Sequence, residues 1–575
     1  MSRWLTIVFL LLVHVARGAN DVTSFGSMTL ASTFHCISVK VEMAGDDNSN
    51  ATCVVQFRTG GGAWRNGYAL WRDTWRQQFK GSMVYVLPNT TYEVRVQVSD
   101  TDGVPAVAAI TNSIATWSET FTEESANSLS NITVPITITS GGSSLGNYRR
   151  YGPTFPNRWT VNVGTSQPIA MTIQTTNIII QNMDFVSGGN SNALRVLDGM
   201  SNIVIQNCTF ANYGPFGKGN GPLTELVPDP FPDEDRNAAI CLGRNSVDSG
   251  VGRVVVQNCD FGPANGGSNS WDPAPGNNNH HPVGPHGVYV SNSRGSIVIR
   301  YNRFRGDPGA AYAHWYNDAI GGNSNSTTNG FVRRDSDIYG NIISEVWDDG
   351  IEVEGGNENV RVFCNVITNV HVAIASAATM VGPLYKWRNT HFFNRQSESN
   401  AALREVAFKG GAPAGKTNLA EFYFFNTVCD PERAAGLVHD SGGLFYMTHT
   451  RNNIGQTSGK VINDTQSAAT SSYDWDFFKP GYTITVPVGS EANAITNTPT
   501  FSPVLNHELY LAAESPGYRA GTAINNFSDD SNGNNLADPN MGAWDQRFPV
   551  YQIGPLTNTV PANAPRSGSV RNIRL

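Results

Sequence analysis

A six-residue phrase with an apolar residue at each end recurs between Asn177 and Cys429. Its seven copies begin at Ile180, Ile205, Val256, Ile299, Ile338, Val362 and Tyr423. Starts that differ by 25 or 24 residues fit one coil of short strands and turns, whereas wider gaps predict insertions or an extra rung. The pattern therefore predicts a solenoid whose coils bury the two apolar ends of each phrase.

Stacking the copies in register predicts three columns. The six aliphatic starting residues, Ile180 to Val362, form one apolar column. The closing apolar residues form a second column: Phe185, Phe210, Phe261, Phe304, Ile343, Ile367 and Val428. Between them lie four asparagines whose amides can bond to one another and to the main chain at a bend: Asn302, Asn341, Asn365 and Asn426.

A second strand follows most of the phrases and predicts a fourth column. Its inward residues are Leu194, Ile240, Val288, Ile320, Ile351 and Ile374. Because side chains alternate along a strand, the next residues point outward: Arg195, Cys241, Tyr289, Gly321, Glu352 and Ala375. Long insertions at 211–236, 262–285 and 305–316 enter just before these strands and would wall one side, so this face is the candidate cleft.

In the N-terminal region, apolar and polar residues alternate over longer stretches, and turn residues separate these stretches. Its phrase Leu87-Pro-Asn-Thr-Thr-Tyr92, preceded by Trp64, resembles the fibronectin type III fold. That resemblance implies a small β-sandwich over residues 19–119, and the polar, acidic stretch 120–131 is typical of a linker.

The repeat region resembles the right-handed parallel β-helix of the pectate lyase and polygalacturonase superfamily. We therefore predict an all-β fold class, a right-handed parallel β-helix over 132–545 preceded by the fibronectin type III-like β-sandwich. Residues 546–575 are expected to form a C-terminal tail.

The first 18 residues have the charged, apolar and small-residue pattern of a signal peptide, which predicts a secreted, extracellular protein. No later stretch is apolar enough to span a membrane, and a net charge of −8 argues against nucleic acid as a partner. In a eukaryotic host, glycans are expected at the acceptor sequences of Asn50, Asn89, Asn131, Asn325, Asn463 and Asn526.

Seven cysteines leave one odd in a secreted chain. Cys36 and Cys53 lie in strands of the N-terminal domain that a disulfide could bridge. Cys208 and Cys259 fall in one column of neighbouring phrases, either as a disulfide or, as we expect, as unbonded core residues.

The densest chemical cluster is Trp347-Asp-Asp-Gly-Ile-Glu-Val-Glu354. The strand period turns Asp348, Glu352 and Glu354 to one side, and residues two apart on a strand are separated by about 6.5 Å, near the spacing that inverting glycosidases keep between acid and base. Asp348-Asp349 also resembles the paired aspartates of polygalacturonases, which implies an acid that protonates the leaving oxygen and a base that activates water. Solvated glutamates on an exposed strand are the alternative interpretation.

One rung earlier Asp318 aligns with Asp349, and one rung before that stands His286. Like charges a strand spacing apart would raise the pKa of one carboxyl and make it an acid near neutral pH. Four further residues are predicted to bind substrate beside Glu354, through ring stacking or charge: Tyr289, Trp315, Trp347 and Arg195.

Three functions remain open from the sequence. The first is hydrolysis of a polysaccharide by Asp348, Asp349 and Glu352, supported by Asp318 and His286, with no certain cofactor. The second is a lyase, in which the same carboxylates hold calcium while an arginine or lysine abstracts a proton. The available basic residues are Arg195, which lies on the outward column, Arg333, Arg334, Arg388 and Lys409. The third is a non-catalytic glycan-binding or wall-associated structural protein.

Overall fold

The computed structural model describes residues 20–556, except for gaps at 128, 165, 189–191, 215–236, 244–249, 266–281, 283, 307–314, 395–405, 412–414, 431–435, 441–443, 465–469, 487–489 and 503–507. The regular elements in this part of the chain are all β-strands, 42 in number. Within it, no helix long and apolar enough to cross a membrane is present. The all-β fold class is confirmed.

The N-terminal strands form a β-sandwich of two antiparallel sheets. In sheet order, the strands of the first sheet are β1 (Val22–Ser32), β2 (Ile37–Gly45), β6 (Gln78–Met83) and β5 (Trp71–Asp73). Those of the second are β4 (Arg65–Asn66), β3 (Thr52–Thr59), β7 (Thr91–Ser99) and β8 (Ala109–Ala115). Side chains alternate between the two faces of a strand, so every second residue points inward. The inward residues of the two sheets, such as Val39, Val41, Val94 and Val96, form a common core.

The described residues between 123 and 496 wind into a parallel β-helix. One wall is a sheet of 12 strands: β9 (Glu123–Asn127), β11 (Tyr148–Tyr151), β14 (Ile178–Gln181), β17 (Ser201–Gln206), β20 (Val251–Gln257), β23 (Ser293–Arg300), β26 (Asp337–Tyr339), β28 (Val360–Phe363), β30 (Leu384–Trp387), β33 (Thr417–Phe424), β36 (Leu444–Arg451) and β39 (Ser472–Tyr473). Strand β9 lies within the segment 120–131 that the sequence indicated as a linker.

The other wall is a 22-stranded sheet made of two parallel ladders. The first ladder has β10 (Ile136–Ile138), β13 (Ile169–Ile173), β16 (Asn192–Val196), β19 (Ala238–Leu242), β22 (His286–Val290), β25 (Ile320–Gly322), β32 (Phe408–Gly410), β35 (Val438–Asp440), β38 (Lys460–Asn463) and β41 (Thr483–Thr485). The second has β12 (Trp159–Gly164), β15 (Met183–Gly188), β18 (Thr209–Phe210), β21 (Asp260–Phe261), β24 (Arg303–Arg305), β31 (Thr390–Asn394), β34 (Thr427–Asp430), β37 (Ile454–Thr457), β40 (Phe477–Phe478) and β42 (Ile495–Thr496). Two long strands, β27 (Ile342–Glu352) and β29 (Val366–Ala375), pair in both ladders and join them.

The predicted register of the coils is confirmed. Ile180 pairs with Ile205, and the aliphatic column continues through Val256 to Val362. In the second column the rings of Phe185 and Phe210 stack at 4.7 Å between centroids, and those of Phe261 and Phe304 at 4.3 Å. The sequence pattern did not predict one rung: β30 and β31 form a full coil within the widest gap between phrases.

The asparagine ladder is confirmed and is longer than predicted. Each side-chain amide donates to the carbonyl oxygen of the next asparagine side chain and to a main-chain carbonyl, as Asn341 does to Asn365 at 2.9 Å and to Ile299 at 3.0 Å. The ladder runs through Asn302, Asn341, Asn365, Asn389, Asn426 and Asn453 and ends on Asp476. All seven residues are buried.

The C-terminal segment covers this bend of the coil. It runs back along the helix, where Ala543 bonds to Thr427, the Trp544 indole donates to Thr390 at 2.8 Å, and the Gly554 amide donates to Gly340. Because these partners directly adjoin ladder asparagines, the segment lies alongside the ladder.

The sandwich packs directly against the 12-stranded sheet. Its Phe34 and Trp71 share one apolar cluster with Tyr339 and Trp387 of the β-helix. The interface is also polar, since Arg361, which pairs with Asp337 of its own sheet at 2.5 Å, donates to Ser38 of the sandwich at 2.6 Å. Such extensive burial fixes the two units together rather than leaving the sandwich on a flexible tether.

The structure tests three predictions about cysteine and asparagine side chains. The possible Cys36–Cys53 disulfide is wrong: both thiols are free, because Cys36 faces the β-helix whereas Cys53 faces the sandwich core. Cys208 and Cys259 are buried and unbonded, as expected. Asn526, one of the predicted glycan acceptors, is buried and its amide donates to the Val84 carbonyl, so that amide is not accessible to a glycan.

Candidate functional site

The outward column of the first ladder has the register that the sequence predicted. Arg195 pairs with Cys241, Cys241 with Tyr289, and Tyr289 with Gly321. Glu352 pairs with Ala375 on the next rung. The column then continues to Lys409, because Ala375 pairs with that residue on β32.

Five predicted catalytic residues lie together at this column. Asp318, Asp348 and Asp349 each offer a carboxylate oxygen, and these oxygens all lie within 4.8 Å of one another. His286 Nδ1 lies 3.2 Å from Asp318 Oδ2, and the Asp349 amide donates to Asp318 Oδ1 at 3.0 Å. The predicted alignment of His286, Asp318 and Asp349 on successive rungs is therefore present in the structure.

A break in the strand alternation brings both adjacent aspartates to this cluster. Val346 and Ile351 both face the interior although they are five residues apart. The pairing with β29 shifts between Val346 and Asp349, where β27 has one more residue than its partner. A regular strand would turn Asp348 and Asp349 to opposite faces, so this irregularity is what lets them converge.

Glu352 is held on the same face by two donors. The Asn325 amide donates to its Oε1 at 2.6 Å, and the Gly322 main-chain N–H donates to its Oε2 at 3.2 Å. Asn325 also reaches Glu354 at 3.4 Å. The carboxyl of Glu352 is thus fixed in position beside the three aspartates.

A glycine leaves room for these carboxyls. A Cβ placed on Gly321 would lie 2.9 Å from Asp318 Oδ2 and 3.2 Å from Glu352 Oε2. Ala375, with a single methyl group, separates Glu352 from Lys409 in the column. The Asp318 and Glu352 carboxyls therefore lie over the main chain at Gly321, in space that a side chain would otherwise fill.

Lys409 supplies the cation of the cluster. Its Nζ lies 2.9 Å from Glu354 Oε1 and 3.8 Å from Asp349 Oδ2. Although burial opposes its charged form, Asp349 and Glu354 hold the pKa of Lys409 well above its usual value. The sequence offered Lys409 only as one of several basic residues, because its phrase Phe408-Lys-Gly410 lies after a long gap in the repeat.

The electrostatics divide the carboxyls into two kinds. Burial, followed by the charges of Asp349 and Asp318, raises the pKa of Asp348 well above its ordinary value. Burial, followed by Asp318 and Glu354, does the same to the pKa of Glu352. Asp349 differs from them in its partner, because its Oδ2 lies 3.8 Å from the Lys409 ammonium. A protonated acid and a carboxylate can therefore coexist within one cluster.

The residues predicted to bind substrate are placed less favourably. Trp315 and Trp347 are buried and stack on each other at 4.1 Å, so their faces are already occupied. Arg195 is 2% exposed and its Nε donates to Asn192. Tyr289 is also 2% exposed and packs with Cys241. Glu354 of this group lies at the cluster, where it pairs with Lys409 at 2.9 Å, and the Tyr289 ring lies 5.0 Å from that of His286.

His371 is a further residue near the cluster that the sequence did not indicate. It is buried between Val370, which pairs with Val346, and Val372, which pairs with Asp349. Its main chain therefore runs beside the Trp347-Asp348 step on the next rung. A histidine that follows an aspartate pair by one coil length is the only signal in the sequence that could have drawn attention to it.

Comparison of the chain with models of known protein families, and with curated proteins, gave no match.

Proposed function

We propose that this protein is a glycoside hydrolase that cleaves a polysaccharide at the carboxylate cluster of the β-helix. The observation that carries the proposal is the convergence of Asp318, Asp348 and Asp349, whose oxygens lie within 4.8 Å of one another. Glycosidic hydrolysis needs one carboxylic acid and one carboxylate at the scissile bond. These oxygens lie closer together than the spacing of about 6.5 Å that the strand period predicted.

In this proposal Asp348 is the general acid. Its raised pKa keeps the proton that the leaving oxygen must receive. Asp349 is the general base, because Lys409 at 3.8 Å stabilises its ionised form. Asp318, held by His286 and by the Asn317 amide at 3.0 Å, orients the Asp349 main chain.

Glu352 is the competing candidate for the acid, since its pKa is also raised. The two assignments differ in the pH dependence of their variants. Activity that requires a protonated acid falls as pH rises through the pKa of that acid. Asp348→Asn removes this alkaline limb if Asp348 is the acid, whereas Glu352→Gln removes it if Glu352 is.

A calcium-dependent lyase is the second candidate, favoured by the same group of three aspartates. Carboxylate oxygens are the ligands that Ca²⁺ prefers, and Asp318, Asp348 and Asp349 could supply three of them. Lys409 would then abstract the sugar proton. This function requires Lys409 to lose a proton, which the neighbouring carboxylates oppose.

The deciding experiment is incubation of the purified chain with a polysaccharide panel, with and without a chelator. New reducing ends without absorbance from unsaturated products, at a rate that the chelator leaves unchanged, support hydrolysis. Unsaturated products that vanish with chelator and return with calcium support the lyase. Binding without cleavage of any substrate would contradict both and favour a glycan-binding protein.

We also propose that the sandwich is a fibronectin type III-like module and that the chain is secreted. The support for the module is the Tyr92 hydroxyl, which accepts a hydrogen bond from the Leu87 amide at 2.8 Å. A tyrosine bonded back to the main chain a few residues upstream is typical of such sandwiches. Secretion rests on the pattern of residues 1–18, and N-terminal sequencing of the exported protein tests it.

A further inference from the structure

Two neighbouring carboxyl groups lie where the asparagine ladder ends. Asp476 accepts the main-chain N–H and the side-chain amide of Asn453 through its Oδ1, both at 2.8 Å. Its Oδ2 and both side-chain oxygens of Glu491 are buried, and among the described residues none of these three oxygens has a hydrogen-bond partner. A buried carboxylate without partners is strongly destabilising, so these oxygens need a partner that the described chain does not supply.

A third residue adds an oxygen to this pair. Thr450 lies on β36, where it pairs with Tyr473, and its side chain is 0% exposed. Burial raises the pKa of Asp476 and the Thr450 hydroxyl opposes that rise, so the two side chains are neighbours. Within the described part of the chain, Thr450 Oγ1 also lacks a hydrogen-bond partner. Four buried oxygens from three residues therefore gather at the end of the ladder.

The backbone holds the two carboxyls together. The Glu491 N–H donates to the Tyr473 carbonyl at 2.7 Å. Asp476 directly precedes β40, whose first residue, Phe477, donates its N–H to the Asn453 carbonyl at 2.8 Å. The fold rather than a ligand brings these groups together, and a preformed site avoids much of the ordering cost of binding.

Elsewhere in the coil a buried carboxyl has a basic partner. Glu421 on β33 is fully buried, and its Oε2 accepts from Lys386 at 3.0 Å. Arg451 on β36 gives the ladder end no such pairing, because it donates to the Ser472 main-chain carbonyl at 3.0 Å and to the Ser472 hydroxyl at 2.7 Å. The partner that the two carboxyls need is therefore a cation or a proton from outside the chain.

We propose that these oxygens form a calcium site at the C-terminal end of the β-helix. Glu491 supplies two ligand atoms, Asp476 Oδ2 a third and the Thr450 hydroxyl a fourth, and water completes the shell. Ca²⁺ takes about six to eight oxygen ligands and accepts irregular geometry, whereas Mg²⁺ needs a nearly octahedral set. One divalent ion also balances the charge of two carboxylates. In the metal-free chain a proton on Glu491 takes its place, so the ion and the proton compete.

The ion joins three parts of the last coils: β36, the turn before β40 and the segment around Glu491. Because it binds only when these parts are folded together, calcium stabilises this end of the β-helix. The site shares no residue with the carboxylate cluster and does not depend on the proposed hydrolysis.

The test is thermal unfolding of the full chain in chelator and in calcium, with calorimetric titration of CaCl₂ into the chelator-treated protein. Asp476→Asn is the most informative variant, because its side-chain carbonyl can still accept from Asn453 and only the second carboxylate oxygen is replaced. Glu491→Gln removes the bidentate ligand and serves if Asp476→Asn does not fold. Glu514→Gln is the matched control, since Glu514 is an exposed carboxylate outside the site.

Calcium at about 5 mM should raise the melting temperature of the parent chain and of Glu514→Gln by about 2–4 °C. Asp476→Asn and Glu491→Gln should lose this rise and bind one calcium ion fewer. Asp349→Asn should keep the rise, which separates the site from the carboxylate cluster. The proposal is overturned if calcium leaves the parent melting temperature unchanged, if either ladder-end variant keeps the rise, or if Asp349→Asn abolishes it. A proton shared by the two carboxyls would then be their partner.

Discussion

Two stacks of polar side chains run along the same coil, and they differ in how their groups are satisfied. In the asparagine ladder each residue both donates to the next and accepts from the previous one. In the carboxylate cluster, Asp318, Asp348 and Asp349 bring acceptors together beside one lysine. Repetition of a complementary group stabilises the coil, whereas convergence of like groups costs folding energy.

This contrast separates structural from functional polar residues in a solenoid. The ladder repeats one residue type over six rungs, so every rung gains the same bonds. The cluster occurs on only a few rungs and combines different residue types, including His286 and Lys409. Destabilising groups that are confined to one place and fixed by hydrogen bonds are typical of active sites.

The strongest test removes the negative charge of the proposed base. Asp349→Asn should lower kcat by about 10² to 10⁴, because a general base contributes rate enhancement of that order. The thermal midpoint should not fall, since relief of charge repulsion offsets the lost Lys409 contact. Steady-state rates of reducing-end release measure the effect. A variant with undiminished kcat would place Asp349 outside the chemistry.

The converse test interrupts the ladder. Asn341→Ala leaves the Asn302 amide groups without their acceptor, and a buried unsatisfied donor costs about 1–3 kcal/mol. Denaturant unfolding should show that loss of stability, with kcat unchanged in the folded protein. Asn162→Ala, at an exposed position on β12, is the control. Equal stability of the two variants would show that the ladder contributes nothing.

A third variant crowds the carboxyls and keeps every charge. Gly321→Ala places a Cβ 2.9 Å from Asp318 Oδ2, so the Asp318 carboxyl must shift. We expect kcat/KM to fall about tenfold, equivalent to about 1.4 kcal/mol, because the shift disturbs the arrangement of the proposed acid and base. The circular dichroism spectrum should match that of the parent chain. Full activity would mean that the position of the Asp318 carboxyl does not affect the reaction.

The smallest effect concerns the end of the ladder, where two carboxyl groups, those of Asp476 and Glu491, are neighbours. Burial and the neighbouring Asp476 raise the pKa of Glu491 to about 10. Because the folded pKa exceeds the unfolded one, the stability that Glu491 contributes is present below about pH 4.3 and declines as pH rises toward its folded pKa. Glu491→Gln should flatten this decline between pH 5 and 9 by about 1 kcal/mol or more. Parallel stability curves for the two proteins would show that Glu491 is not buried as a neutral acid.

Much of the coil could be predicted because its signal is local. Apolar residues at the ends of each phrase fixed the pairing of Ile180 with Ile205 and of Phe185 with Phe210. The same alternation predicted that Tyr289, Gly321 and Glu352 share one face. A shift by one residue would expose the whole apolar column, so a buried coil tolerates a single register.

The site was predictable in its residue types but not in its geometry. Asp318, Asp348, Asp349 and His286 could be aligned by counting residues from the repeat. Their convergence depends on the irregularity of β27 after Val346, which no alternating pattern contains.

Trp315 and Trp347 illustrate the opposite failure. Aromatic residues next to acidic ones suggested a sugar platform, yet the two rings bury each other. Residue type alone does not distinguish a ring that packs from a ring that binds.

The sequence by itself determined the repeat, the register and the residues that face outward, because each follows from the spacing of apolar positions along a strand. Only the tertiary structure decided that Lys409 approaches Asp349, that the C-terminal segment covers the asparagine ladder, and that the sandwich packs on the 12-stranded sheet. These contacts join residues far apart in the chain. They depend on the shapes of packed surfaces, which local periodicity does not encode.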